Sequence, residues 1–318
     1  MDAQDIRIFC ALAISGLPEA IPSSVPASLR RVARGLRLDE KTVRVRLRRM
    51  ESAGFIKYYQ VAPDLTLLGM NAELTCRFEA VNVSTKLAAL GVARTMPGMV
   101  EALDFLGPSF VVTLVGSELD NAREALRHLA HRFELERYEQ GHCSLDRSGA
   151  RLAPLDWRIV ERMRYDARAP LGEVARGLQI TPRTVRYRLH RMQESGAVSI
   201  RPMIDARQLR NIILYRLAVV VDRVRQGEIL ALLQRRFGSK LWALRVSLAG
   251  PILLDLFGHS IGEPEEAAVR CLEVPGVDSC RVLILKEVLE PVQRSWIDRR
   301  VSDLAAGRGP PVEGEPGD

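Results

Sequence analysis

The chain has 318 residues, which is longer than one small hydrophobic core requires, so we expect two or more domains. Hydrophobic residues make up 47% and charged residues 27% of the sequence, a composition that excludes an intrinsically disordered chain. The 46 Lys and Arg residues outnumber the 39 Asp and Glu residues, and the net charge of +7 favours a polyanionic partner.

The first predicted domain, residues 1–64, is a winged helix-turn-helix. A first helix begins near residue 5, and an insertion that contains several prolines separates it from a second helix at 29–36. Asp39 then precedes a third helix, where its side-chain oxygen can accept a hydrogen bond from an unpaired backbone amide. Gly54 ends that helix, and the alternating pattern after it predicts a short β-ribbon, the wing.

Residues 65–148 are predicted to form an α/β domain. Apolar runs and helical patterns alternate in the order strand, helix, strand, strand, helix, strand, which is typical of a ferredoxin-like βαββαβ fold. The predicted strands lie at 70–81, 99–105, 110–116 and 137–145, and the predicted helices at 84–95 and 119–133.

The same order of elements then returns, because the sequence contains an internal repeat. Segment 171–178 matches 29–36 and segment 184–192 matches 42–50, at a constant offset of 142 residues and without a gap. Chance does not produce such a match, so we predict a tandem duplication within one α+β chain. It places a second winged helix-turn-helix at 152–206, a second ferredoxin-like domain at 207–290, and a C-terminal helix or turn with a disordered tail at 291–318. The strands of the second α/β domain are predicted at 212–222, 241–248, 251–257 and 277–288, and its helices at 227–237 and 263–272.

The start of the third helix in the second copy is marked by two residues. Thr181 can cap the helix, and Pro182 suits its first position because that amide has no partner in a helix. Gly177 is expected to provide the left-handed turn that ends the preceding helix. The positions predicted to face inward are Val185, Leu189 and Met192.

Basic side chains fill the rest of the surface of both third helices, with almost no acid among them. These cations would repel each other unless an anion such as a phosphate or a guanine edge binds them. A solvated charge run on a packing module is the alternative, but the same cations recur in both copies, which favours DNA binding. We therefore predict as DNA-binding residues Lys41, Thr42, Arg44, Arg46, Arg48, Arg49, Arg183, Thr184, Arg186, Tyr187, Arg188 and Arg191.

Other classes of site are not indicated by the sequence. No apolar run approaches the roughly 20 residues of a membrane-spanning helix, and the acidic start is unlike a signal peptide, so we predict a cytoplasmic, nucleoid-associated protein with no membrane partner. The five cysteines lie far apart and include no CxxC pair, so neither a zinc site nor a disulfide framework is expected. No cofactor and no metal are predicted.

The helix-turn-helix motif Leu-x-x-Val-Ala-Arg-Gly-Leu, the arginine-rich third helix and the βαββαβ pattern together resemble the Lrp/AsnC (feast/famine) family of transcriptional regulators. The resemblance covers both halves. It implies a regulator that binds specific sequences of double-stranded DNA, with a RAM-like α/β domain that senses a small molecule and pairs with a second protomer. Since this chain holds two units, we expect an intrachain pseudo-dimer with an asymmetric operator, and we leave a further homo-oligomer open. Gly107-Pro108 and Gly250-Pro251 lack the acid of amino-acid-binding relatives, so the effector is left unknown.

Two further functions compete with this interpretation. The first is an enzyme that acts on tetrapyrroles, since relatives on this scaffold have that activity. His128 and His131 share a helix face, but no acid or Cys accompanies them at metal spacing and no nucleophile elbow or P-loop is present, so we predict that the chain is not an enzyme. The second is an architectural protein that coats or bends duplex DNA without sequence preference.

Overall fold

A computed structural model of the protein describes residues 2–13, 29–145, 149–209, 211–246, 250–292 and 295–308. The predicted proline-containing insertion, the end of the strand predicted at 241–248 and the tail from residue 309 lie outside these residues. The described helices are α1 (Ala3–Ala13), α2 (Leu29–Leu36), α3 (Glu40–Ser52), α4 (Val83–Ala93), α5 (Leu119–Arg132), α6 (Pro154–Met163), α7 (Leu171–Leu178), α8 (Pro182–Glu194), α9 (Gln226–Phe237), α10 (Glu263–Leu272) and α11 (Trp296–Ala305). The described strands are β1 (Ile56–Pro63), β2 (Ala72–Glu79), β3 (Met99–Phe105), β4 (Ser109–Gly116), β5 (Glu136–Ser144), β6 (Val198–Ile204), β7 (Ile213–Val221), β8 (Leu241–Arg245), β9 (Ile252–Gly258) and β10 (Val277–Leu289).

Three helices pack together at the start of each half, and each set is called a head below. In the first head, α1–α3 bury Ile6, Val32 and Val43 in one core. In the second head, α6–α8 bury Trp157 and Val185 in a separate core. Helices of eight residues such as α2 and α7 are too short to be stable alone, so this packing is what holds them.

The capping residues take the positions predicted for them. The Thr42 amide donates to Asp39 Oδ1 at 2.7 Å, and the Thr184 amide donates to Thr181 Oγ1 at 3.1 Å. Pro182 is the first residue of α8. Each cap satisfies one of the amides that the first turn of a helix leaves without a partner.

The left-handed turn before α3 and α8 does not use the predicted glycine. Its residues are Arg37, with φ of 54°, and Gln179, with φ of 57°. Gly177 instead lies within α7, where a Cβ atom would be 3.2 Å from the guanidinium carbon of Arg162 on α6. A side chain at Gly177 would require the Arg162 guanidinium to shift, and the prediction placed the turn two residues too early.

The predicted wings differ from the structure. Each half supplies a single strand, and β1 pairs antiparallel with β6, with Val61 opposite Ile200. One strand alone would leave its backbone amides and carbonyls without partners, and the strand of the other half satisfies them. The ribbon therefore connects the two heads instead of forming a wing inside each of them.

The remaining eight strands form one antiparallel sheet in the order β5-β2-β4-β3-β10-β7-β9-β8. The first four and the last four strands each follow the 4-1-3-2 order of a βαββαβ unit, which is the ferredoxin-like topology. Strands β3 and β10 join the two units, with Leu285 opposite Phe105. The halves are thus connected twice, by this pair and by the β1–β6 ribbon.

Helices cover one face of each four-stranded unit, and the other face carries polar side chains together with a small apolar cluster of Leu103, Phe105, Val111 and Leu283. Leu74 and Cys76 on β2 pack in the core with α4 and α5, whereas Glu73 and Thr75 alternate to the opposite face. On β7, Leu217 packs in the core with α9 and α10, while Arg216 lies on the opposite face. These polar side chains therefore lie on the side of the sheet that points away from the helices.

The C-terminal helix α11 belongs to the second head. Ile297 and Val301 are buried in the same core as α6–α8, and Asp298 accepts a hydrogen bond from Arg164 Nε at 2.5 Å. The sequence indicated a helix or turn in this region but not its packing partner. Within the described residues, no helix combines the length and the apolar character needed to cross a membrane.

Candidate nucleic-acid interface and internal chamber

The twelve predicted DNA-binding residues all lie on α3 or α8, and the structure divides them into groups with different surroundings. Two arginines of α3, Arg46 and Arg49, contact two aspartates near the start of the chain, Asp2 just before α1 and Asp5 within it. Arg46 Nη1 lies 2.7 Å from Asp2 Oδ2 and 3.0 Å from Asp5 Oδ1, and Arg49 contacts the same two carboxylates. Asp5 is fully buried, so its charge requires these partners.

The second head repeats this arrangement. Arg188 Nη1 lies 2.8 Å from Asp156 Oδ1, and Arg191 Nη2 lies 3.5 Å from Asp156 Oδ2. Asp156 is also fully buried, and it accepts a third hydrogen bond from the Ala153 amide at 3.0 Å. These four arginines therefore hold the first and third helices of their heads together, which explains their recurrence without any ligand.

The pKa of Asp2 reflects the same contacts. Partial burial opposes ionisation, but the hydrogen bond from Arg46 outweighs it and lowers the pKa of Asp2 to about 2. The carboxylate is thus ionised at neutral pH and stays available to the arginines of α3.

The two predicted threonines serve the helix caps. Thr42 Oγ1 donates to Asp39 Oδ2 at 2.6 Å, and Thr184 Oγ1 lies 2.9 Å from Thr181 Oγ1. Both side chains are half-buried. Their hydroxyl groups are thereby engaged at the start of each third helix.

The remaining cations project from the exposed faces of α3 and α8. Lys41, Arg48, Arg183 and Arg186 are exposed, and none forms an ion pair with another residue in the described part of the chain. Arg44 is exposed as well, but it contacts Glu40 one turn earlier at 2.6 Å. These side chains keep donors available to an external anion.

An apolar or aromatic side chain lies at the centre of each cationic face. Val45 is 57% exposed and Tyr187 is 65% exposed, and they occupy equivalent positions of the repeat. Val45 was not among the predicted site residues. An exposed valine in a charged helix was the signal that could have identified it, since apolar side chains contact the thymine methyl group in a major groove.

A chamber lies between the β1–β6 ribbon and the polar face of the first half of the sheet. Its volume is about 580 Å³, and its charged lining includes Glu73, Glu101, Arg201 and Arg245. A neighbouring cavity of about 470 Å³ shares Glu101, Arg201 and Arg245 and extends to Arg216 on β7. Volumes of this size are typical of small-molecule sites.

The charges in the chamber are not equally compensated. Arg245 Nη2 lies 2.6 Å from Glu101 Oε1, and the attraction of that carboxylate raises the pKa of Arg245. Arg201 is exposed; it donates from Nε to Ser199 Oγ at 2.9 Å and has no ion pair among the described residues. Glu73 has neither a hydrogen bond nor an ion pair from its carboxylate in the described part, and burial raises its pKa.

The histidines singled out in the sequence lie elsewhere. His128 is on the exposed face of α5, where its Nε2 lies 2.9 Å from Glu124 Oε1, and His131 is exposed on the same helix. Both are therefore outside the lining of the chamber.

Comparison with known proteins gives one family match and several structural ones. Residues 154–193, which contain α6–α8, match the AsnC-type helix-turn-helix domain. The solved structure of the siroheme decarboxylase NirDL is similar over 95% of this chain and 99% of that chain, with 13% identity and a TM-score of 0.52. The same enzyme solved with an iron-uroporphyrin III analogue gives 96% and 99% coverage, 13% identity and the same TM-score of 0.52. AsnC of E. coli covers 46% of this chain and 98% of its own, at 17% identity and a TM-score of 0.38. No curated protein sequence matches the chain.

These findings establish an AsnC-type helix-turn-helix in the second half, within a mixed α/β fold. They also overturn the prediction that the chain is not an enzyme, because an enzyme has the same fold over nearly the whole length. That prediction rested on missing catalytic motifs, and the absence of a short motif does not decide whether a fold carries an active site.

Proposed function

We propose that the chain is a transcription regulator that binds double-stranded DNA through both heads. The observation that carries the proposal is the pair of exposed faces on α3 and α8, where cations without ion pairs among the described residues surround Val45 and Tyr187. In a helix-turn-helix the third helix enters the major groove, where arginine donates to guanine or phosphate. The AsnC-type match over α6–α8 supports this role for α8.

The two heads are inferred to be copies of one unit. The internal repeat supports this, and so does the recurrence of the same ion pairs, because Asp5 binds Arg46 and Arg49 as Asp156 binds Arg188 and Arg191. The chain then acts as an intrachain pseudo-dimer, with the β1–β6 ribbon between its heads.

The two faces are not identical, so we propose an operator with two unlike halves. Val45 is replaced by Tyr187 at the equivalent position, and Arg48 by His190. A valine side chain offers only apolar contact, whereas a tyrosine hydroxyl also donates and accepts hydrogen bonds. Arg183 and Arg186 are the cations that we assign to DNA in the second head.

The test is selection of duplexes from a randomised pool, followed by binding measurements at several salt concentrations. Wild-type protein should enrich a site with two unlike halves. Arg183→Ala with Arg186→Ala should weaken binding and reduce the slope of log K against log salt by about 1 for each of the two arginines that binds a phosphate. The control is Arg127→Ala with Arg235→Ala, which removes two exposed arginines from α5 and α9. Equal weakening in both double variants would show that only net charge matters.

A second candidate function is an enzyme or binding protein for a tetrapyrrole. The specific support is the fold shared with NirDL, together with the guanidinium group of Arg201, which lines the chamber without an ion pair among the described residues and suits a carboxylate of such a ligand. Titration with uroporphyrin III should then shift the Soret band and quench tryptophan emission. Arg201→Gln should weaken that binding, and the absence of any spectral change at micromolar concentration would argue against this candidate.

A further inference from the structure

Two of the five cysteines lie side by side in the second α/β unit. Cys271 is in the last turn of α10 and is fully buried in the core between the helices and the sheet. Cys280 lies on β10, packs against the same core and is half-buried. The Cys271 thiol donates a hydrogen bond to the Cys280 sulfur. The fold therefore brings two thiols from different elements into contact.

The hydrogen bond makes the two thiols unlike. It lowers the pKa of Cys280, because a donated hydrogen bond favours the charged sulfur, and together with burial it raises the pKa of Cys271. The thiolate is the form of cysteine that reacts with oxidants, and reactive cysteines combine a lowered pKa with access to solvent. Cys280 has both properties, and Cys271 is the buried thiol beside it.

The other cysteines lack this combination. Burial raises the pKa of Cys10 to about 12 and the pKa of Cys76 to about 11, so both stay protonated at neutral pH. Cys143 is exposed on β5, outside the core that holds the pair. The contact between Cys271 and Cys280 is thus a particular feature of the second unit.

Packing alone does not require a cysteine at position 271. Leu129 of α5 stands at the equivalent position of the first unit, at the same offset of 142 residues as the rest of the repeat, and it is buried in the core of that unit. A leucine therefore fills this place in one half of the chain. A thiol in the other half adds reactivity next to Cys280.

We propose that Cys271 and Cys280 form a reversible disulfide when a peroxide oxidises the protein, with Cys280 as the attacking thiolate and Cys271 as the resolving thiol. In the first step the Cys280 thiolate attacks one oxygen of hydrogen peroxide, the O–O bond breaks, a sulfenic acid forms and hydroxide leaves. In the second step the Cys271 sulfur attacks the Cys280 sulfur, the S–S bond forms, the S–O bond breaks, and water leaves with the Cys271 proton. Hydroxide takes up the proton that Cys280 released, so two thiols and one peroxide give one disulfide and two waters. A thiol reductant reverses the reaction.

The disulfide links α10 to the strand that connects the two units, because β10 pairs with β7 on one side and with β3 on the other. The site goes beyond DNA binding and does not rest on it. Neither cysteine lies on α3 or α8, and neither is in the lining of the chamber.

The experiment uses the full chain with Cys143→Ser, which removes the exposed thiol and with it disulfides between molecules. The reduced protein is treated with a small excess of hydrogen peroxide, its free thiols are blocked with N-ethylmaleimide, and it is digested with trypsin. Both cysteines fall in one tryptic peptide, residues 271–281, because Arg270 and Arg281 flank them. This peptide should be lighter by two hydrogen atoms after oxidation, and it should carry two maleimide groups when the oxidised protein is first reduced with dithiothreitol. Cleavage after Glu273 should leave its two parts linked in the oxidised form only.

Variants assign the two roles. In Cys271→Ala the sulfenic acid of Cys280 should persist and be labelled by dimedone, because the resolving thiol is missing. In Cys280→Ala dimedone should not label Cys271, and oxidation of that thiol should be at least about tenfold slower. Cys76→Ala is the matched control, since it removes a buried thiol from the first unit and should leave the disulfide unchanged.

Alkylation of the intact pair gives a readout that does not depend on the folding of these variants. Iodoacetamide should modify Cys280 at least about tenfold faster than Cys76. Three results would overturn the proposal: two free thiols in peptide 271–281 after treatment with peroxide, dimedone on Cys271 in place of Cys280, or equal rates of alkylation at Cys280 and Cys76.

Discussion

Neighbouring arginines on α8 are expected to differ in what they do, and two alanine substitutions separate their roles. Arg188→Ala removes a guanidinium 2.8 Å from the buried carboxylate of Asp156, which keeps Arg191 at 3.5 Å as its one charged partner among the described residues, besides the Ala153 amide at 3.0 Å. Breaking a buried ion pair costs about 3 to 5 kcal/mol when nothing compensates. The remaining partner and the 27% exposure of Arg188 reduce the expected loss of unfolding free energy to about 2 kcal/mol. Arg186→Ala removes an exposed cation, and it should change stability by less than about 0.5 kcal/mol.

The assay combines urea unfolding, followed by circular dichroism, with fluorescence anisotropy on the selected duplex. Arg186→Ala should weaken DNA binding at least about tenfold, while Arg188→Ala should weaken it only as far as it unfolds the second head. The reasoning is refuted if Arg188→Ala is as stable as wild type and binds DNA as poorly as Arg186→Ala does. Arg188 would then be a contact residue, and its ion pair with Asp156 would be incidental.

Three other changes test separate parts of the structure. The hydrogen bond from Arg207 lowers the pKa of Asp205 to about 2. The ionised carboxylate therefore stabilises the fold above pH 4, and this contribution is lost as the pH falls toward 2. Between pH 5 and pH 2.5 the wild type should lose about 2 kcal/mol of unfolding free energy that Asp205→Asn does not lose, as measured by urea unfolding at both pH values. Val45→Ser and Tyr187→Ser should each leave stability unchanged but alter sequence preference in only one half of the selected operator, and identical effects on both halves would contradict the assignment of one head to each half. Lys86→Met should cost about 2 kcal/mol in thermal or urea unfolding, because it removes the ammonium group 2.6 Å from the buried carboxylate of Asp104, which then keeps only Lys286 at 2.9 Å as a cationic partner; a neutral result would mean that the pair contributes nothing.

Features that depend on neighbouring residues could be predicted from the sequence. The cap of α8 by Thr181, its first residue Pro182 and its buried face follow from spacing within one helix. The order of strands and helices in both α/β units follows from local patterns of apolar residues, and the 4-1-3-2 strand order is the usual way to pack that sequence of elements.

Features that depend on contacts between distant segments could not be predicted. The sequence predicts Arg46 and Arg188 as DNA-binding residues because their spacing shows that they leave the core face. The spacing does not show that α1 and α6 bring a buried acid beside them. The pairing of β1 with β6 joins segments more than 130 residues apart, and alternation within a strand does not determine its partner. The chamber could not be predicted for the same reason, since its lining residues Glu73 and Arg201 lie on distant strands, one in the sheet and one in the ribbon.

The two four-stranded units of the sheet differ in their interior groups in a way that the units of a symmetric dimer cannot. The pair Thr75 and Thr113 on the first sheet unit is equivalent in register to Arg216 and Asp255 on the second. The threonine hydroxyls lie 3.1 Å apart, whereas Arg216 Nε lies 2.6 Å from Asp255 Oδ1 in a buried ion pair. In a homodimer both units would carry the same residue pair, and a ligand on the two-fold axis would meet the same groups from both sides. Here the threonine pair is neutral and the arginine–aspartate pair is ionic, so the two sheet units present different groups at equivalent positions.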